Sequence, residues 1–330
     1  MKLSRLAITI VLVVSMNMAA HTGFFGYSGG TVFAQGERTL DSPMPSFENR
    51  YETDHFILKW TNKSSHSGDN IKDPQIIKDT AGYLEEAWTK YTELFGRKPY
   101  TVPGHDKIEV VFRDFDCFGV ADPPEGPIQF NSDAWVKNKG IRQPTSAHEL
   151  FHKMQYAYGY KTVWKPQRPY QWFTEGTAAW SEVFVWGRVS RTLKMDTLFR
   201  DANMDLYQAD ATAMPFWIYF VGGNHEHPNN HLMVELFEKC EQLGNEKRAL
   251  NEVIKETYGS VDDFFKAFAR DRKNGFWNDA LDISYKSILG PEGQDLVEEV
   301  KNIQKANYGR RSNAEPQWQV ESGLGRLDTK

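Results

Sequence analysis

The chain has 330 residues, 40% of them hydrophobic and 14% aromatic, which is enough apolar material for a sizeable core and excludes wholesale disorder. Acidic side chains outnumber basic ones, 44 to 39, with no Lys/Arg cluster, so nucleic acid and anionic membrane surfaces are not expected partners.

In chain order, Lys2 and Arg5 precede an apolar run from Leu6 to Val14 that fades into small residues by Ala20. Charge, apolar run and small residues come in the order of an export signal, and the run is too short for a bilayer anchor. Residues 1–34 are therefore expected to be a signal peptide, cleaved after Ala34 with Ala20 as an earlier alternative, giving a secreted, extracellular chain. No later apolar stretch has the length of a membrane span, so the mature chain is expected to have none. Residues 35–50, polar and containing Pro43 and Pro45, read as a flexible linker. Residues 51–140 read as an α+β lobe. His55–Trp60 and Lys107–Arg113 have strand patterns, and Cys117–Val120 and Pro127–Asn131 are two shorter candidates. Between them, Asp73 as N-cap, Pro74 at the first helical position and Gly96 at the end bracket a long helix. Its apolar positions are Ile77, Leu84, Trp88, Tyr91 and Phe95.

From residue 141 to 330 the pattern turns helical. Helices are predicted at Pro144–Tyr158, Gln171–Trp186, Ala213–Val221, Leu232–Leu243, Lys247–Tyr258 and Val261–Lys273. The expected architecture is a lobe with a small mixed sheet and a long helix, a mainly helical second lobe, and a cleft between them. The two cysteines, Cys117 and Cys240, form no CxxC, which excludes a thiolate zinc site. Export permits a disulfide between them, but one distant pair argues for it only weakly, so their pairing is left open.

The chemistry concentrates in Ser146-Ala147-His148-Glu149-Leu150-Phe151-His152. On a helix, His148 and His152 are one turn apart and project from the same side, so both imidazoles reach one ion. Glu149, one position round, meets instead a water held by that ion. This is how HExxH binds zinc and uses its Glu as general base. Downstream comes Trp172-Phe173-Thr174-Glu175-Gly176-Thr177-Ala178-Ala179. Glu175 alone would read as a solvated or capping carboxylate; after HExxH, at the start of an otherwise apolar helix, it reads as the third ligand. The small run 176–179 would let that helix approach the first. Two imidazoles, one carboxylate and a water form an open, catalytic Zn(2+) site.

These residues resemble the gluzincin group of zinc metallopeptidases, and more narrowly the uncharacterised metallopeptidases exported by bacteria. The resemblance covers residues 144–186 and extends weakly over the preceding lobe, where Pro127-Ile128-Gln129-Phe130 is similar to the substrate-lining edge strand of zincins. It implies a zincin-like two-lobe fold, His148, His152 and Glu175 as zinc ligands, Glu149 as base, and a peptide or protein substrate. Thermolysin-like members place an Asp four residues after the third ligand, where this chain has Ala179. Glu182, on nearly the same helix face as Glu175, is the alternative outer hydrogen-bond partner for His148 or His152; an exposed carboxylate is its plainer reading. Tyr219 is the first candidate for the oxyanion donor, against ordinary core packing, with Tyr158, Tyr170, His225 and His227 as weaker ones. Trp164, Trp172, Trp180 and Trp186 offer either a substrate platform or core. Three rival readings remain: a zinc hydrolase of a non-peptide amide or ester, a catalytically silent zincin-like cell-surface binding protein, and a purely structural exported protein with a chance motif.

Overall fold

Two β-prone runs and the helix between them organise the first part of the chain. In the computed structural model, which describes residues 38–121, 123–159, 171–187, 206–222 and 228–273, they become β2 (Phe56–Trp60), α1 (Pro74–Phe95) and β3 (Ile108–Arg113). The expected signal peptide, Trp164, Tyr170, His225 and His227 lie outside the described residues. Asp73 caps α1 by accepting from the Gln75 N–H at 2.9 Å, and Gly96 ends it at φ 60°, a left-handed geometry that a residue without Cβ adopts without strain. β2 and β3 pair in parallel, as the helical crossover requires.

The sheet is mixed and five-stranded, in the order β1-β2-β3-β5-β4. Here β1 is Asn49–Glu52, β4 is Gly119–Val120 and β5 is Ile128–Asn131. β1 and β4 run antiparallel to their neighbours at the two edges. β5 pairs on both sides, with β3 and β4. The resemblance to an edge strand at residues 127–130 is therefore displaced: the edge is β4, because Gly119 and Val120 fold back onto Phe130 and Gln129.

The segment expected to be a linker makes specific contacts. Over its described part the segment is held against the sheet: the buried Arg113 guanidinium donates to the Leu40 and Ser42 carbonyls, and Arg38 pairs with Asp69 at 3.2 Å. Asn49 and Arg50 already belong to β1. Polar composition hid this, because the segment is held through its carbonyls, which composition does not report.

One sheet face, with Phe56, Leu58, Val110, Phe112, Ile128 and Phe130 fully buried, belongs to the same hydrophobic core as α1. The short α2 (Ser132–Lys137) adds Trp135, stacked on Phe130 with ring centroids 4.2 Å apart. Then come α3 (Lys139–Ala157), α4 (Gln171–Trp186), α5 (Met214–Phe220), α6 (His231–Leu243), α7 (Glu246–Tyr258) and α8 (Val261–Lys273). The described residues thus have an α+β architecture, and one connected core runs from Phe56 to Phe268. α3 begins before the expected start at Pro144. Asn138 caps it by accepting from the Gly140 N–H at 3.0 Å, and the missing proline N–H deprives only the Gly140 carbonyl of a helical partner. α3 therefore spans the expected boundary between residues 140 and 141. Cys117 is partly buried and Cys240 is buried.

Candidate metal centre

α3 and α4 carry the site, and α1 fixes them from behind. On α3, Ala147, Leu150, Phe151 and Met154 are fully buried, the stripe that their helical spacing predicts. Tyr91 of α1 donates its hydroxyl to the Ala147 carbonyl at 2.8 Å and lies 2.8 Å from Ser181 Oγ. One buried phenol thus ties the backbone beside His148 to α4. Gly176 faces Trp217 and Ala213, where an added Cβ would fall 2.6 Å from Trp217 Nε1. The small residue there admits α5 and its preceding turn rather than α3.

His148 and His152 are almost wholly buried, their rings 4.9 Å apart and 82° inclined. Glu175 reaches across from α4, with Oε2 3.3 Å from His148 Nε2 and Oε1 3.7 Å from His152 Nε2. One donor atom from each of the three lies within 4.8 Å of the others. Ligands about 2.1 Å from one tetrahedral ion stand about 3.4 Å apart, so these separations fit a zinc-sized cation.

The far side of each ring is fixed too. His148 Nδ1 is 2.8 Å from Glu182 Oε1, the partner that the helix-face argument offered. A carboxylate there accepts, so Nδ1 carries the proton and Nε2 turns its lone pair toward Glu175 when the ring is neutral. His152 Nδ1 is 2.9 Å from Gln155 Oε1. The Gln155 amide nitrogen donates to the Thr174 carbonyl at 2.7 Å and to Thr177 Oγ1 at 3.0 Å, which orients its oxygen toward the histidine. Two lone pairs and a carboxylate then face one point, an arrangement that calls for positive charge. In the metal-free chain a proton meets part of that demand. Burial pushes the His148 pKa down, but hydrogen bonds to Glu175 and Glu182 and the charges of Glu182 and Glu149 outweigh it, raising it to about 9.

Glu149, also buried, has its side chain against β4. The other sequence candidates make the following contacts. Tyr219 donates its hydroxyl to Asp271 Oδ2 at 2.9 Å and packs on Phe264 and Phe268 of α8; burial and then Asp271 raise its pKa. Tyr158 packs on Phe95, Phe237 and the Arg97 guanidinium. Trp172 and Trp180 are buried core side chains, stacked on Trp217 and Phe184, rather than an open platform. Trp186, partly buried, meets Tyr83 edge-on.

Gln155, Tyr91 and Gly119 are the site residues that sequence reasoning missed. Gln155 had a visible signal, one polar residue three positions after His152 on the same helix. The chain matches no protein-family model and no curated protein.

Proposed function

We propose that this chain is a zinc-dependent metallopeptidase of the gluzincin type. His148, His152 and Glu175 hold the ion, and Glu149 is the general base, at the meeting of a sheet-bearing and a helical lobe as in a zincin-like fold. The observation that carries this reading is the convergence of two imidazole Nε2 atoms and one carboxylate at 3.3 and 3.7 Å, each imidazole anchored at its other nitrogen. Export through residues 1–34 belongs to the same reading.

Zinc held by His148, His152 and Glu175 would supply Lewis-acid polarisation of a carbonyl oxygen and would acidify an attacking water. The chain does the rest. Glu149 takes the proton of that water and passes it to the leaving amine, a role worth about 10²- to 10⁴-fold in rate. Glu182 and Gln155 hold the two imidazoles in the ligating tautomer.

The test joins metal content to turnover of a generic protein substrate. Wild type is expected to hold one zinc per chain and His148→Ala to lose it. Glu149→Gln is expected to keep zinc and lose hydrolysis, and retained hydrolysis would refute the assigned base. Zinc bound by wild type without any hydrolysis would make the chain a metal-holding binding protein instead.

A further inference from the structure

Glu149 has a flexible side chain, yet a general base works only within about 2.6–3.2 Å of the proton that it takes. The structure surrounds it with an element that no catalytic motif encodes. An added Cβ at Gly119, on the edge strand β4, would fall 2.6 Å from Glu149 Cγ, 2.9 Å from Cδ and 2.7 Å from Oε1. Real Cβ atoms do not approach so closely. Gly119 does not have positive φ, so backbone conformation is not what calls for glycine there. The missing side chain makes room for the carboxylate.

The hairpin carrying Gly119 is anchored at both ends. At its base, the Asn131 N–H donates to the Phe118 carbonyl at 3.0 Å, while the Asn131 side chain donates to the Phe115 carbonyl and caps α2. At its tip, Lys153 reaches in from α3. This lysine is almost wholly buried, and its ammonium donates to the carbonyls of Pro124 and Gly126 at 2.8 Å and of Pro123 at 3.4 Å. The cation therefore fastens the loop between β4 and β5 to the helix that carries His148, Glu149 and His152.

We propose that the β4–β5 hairpin is the wall that positions the Glu149 carboxylate, with Gly119 the position that must lack a side chain and Lys153 the clamp at the hairpin tip. This inference rests on the peptidase reading. Gly119 and Lys153 are positioning residues; neither is assigned contact with substrate.

The contact is tested by a thermal-stability cycle on the metal-free full chain. Gly119→Ala is expected to lower Tm by about 3–6 °C, the size of an overpacking strain. In a Glu149→Ala background the same substitution should leave Tm unchanged or raise it, since the crowded atoms are gone. The function is tested on the zinc-loaded full chain. Gly119→Ala should retain stoichiometric zinc and KM within about twofold but lose on the order of 100-fold in kcat, the effect of a misplacement of about 1 Å. Lys153→Met, an apolar chain of similar length, should lose about tenfold in kcat with zinc retained. An additive stability cycle, or an unchanged kcat in Gly119→Ala, overturns this inference while the peptidase reading stands. A zinc-loaded wild type without hydrolysis overturns both.

Discussion

Two buried polar clusters in this molecule use similar side chains and arrange them in different ways. At the C-terminal end of β3, Asp69 accepts from Ser64 Oγ, from the Asp114 N–H and from Arg38. Asp114 meets His66 at 2.6 Å, and Arg113 is occupied by carbonyls and by Gln129. Each of the two carboxylates there has a basic side chain beside it. Between α3 and α4, Glu149, Glu175 and Glu182 surround two imidazoles, and the neighbouring Lys153 gives its ammonium to backbone carbonyls. In the first cluster Asp69 and Asp114 each meet a basic side chain, whereas in the second the Glu175 carboxylate stands 3.3 and 3.7 Å from two imidazole Nε2 atoms. Buried charge by itself therefore does not mark a site; the convergence of three donor atoms on one point does.

The difference is best tested by zinc itself. His148, raised to about 9, is protonated in the metal-free fold below that pH, and zinc must displace the proton. Apparent zinc affinity is then expected to fall about tenfold for each unit that pH drops below 9, and titration calorimetry in buffers of different ionisation enthalpy should detect about one proton released per ion at neutral pH. In the metal-free chain the same raised pKa stabilises the fold below the ordinary histidine value of 6.5, a contribution lost as pH rises through about 9. Asp69→Ala attacks the first cluster. It is expected to cost about 3 kcal/mol in urea unfolding, because it strands buried donors, and to leave zinc affinity unchanged. Glu182→Gln does the converse, weakening zinc binding by about 10- to 100-fold through loss of the charged partner on His148. Gln155→Leu should fall at the lower end, about tenfold, since it removes a neutral partner. The smallest effect belongs to Tyr219→Phe: loss of the Asp271 bond is worth about 1 kcal/mol of stability, with turnover unchanged in a substrate assay.

Much of this was legible in the chain. The α1 caps, the strands at β2 and β3, and the helices from α4 to α8 follow from local pattern, because capping, periodicity and glycine placement act over a few residues. The segment around residues 38–50 was not legible, since its partner, Arg113, is remote and its own contribution is backbone carbonyls. Nor was the start of α3, where Asn138 outweighs the boundary suggested by Pro144.

At the site, sequence alone put His148, Glu149 and His152 on one helix, because a four-residue interval is one turn, and offered Glu175 and Glu182 as candidates. Only the tertiary structure decided which imidazole Glu182 holds, that Gln155 holds the other, that Tyr219 bonds Asp271, and that Gly119 lies against Glu149. Those are contacts between segments far apart in the chain, fixed by how helices and a sheet edge pack, and no local periodicity encodes them.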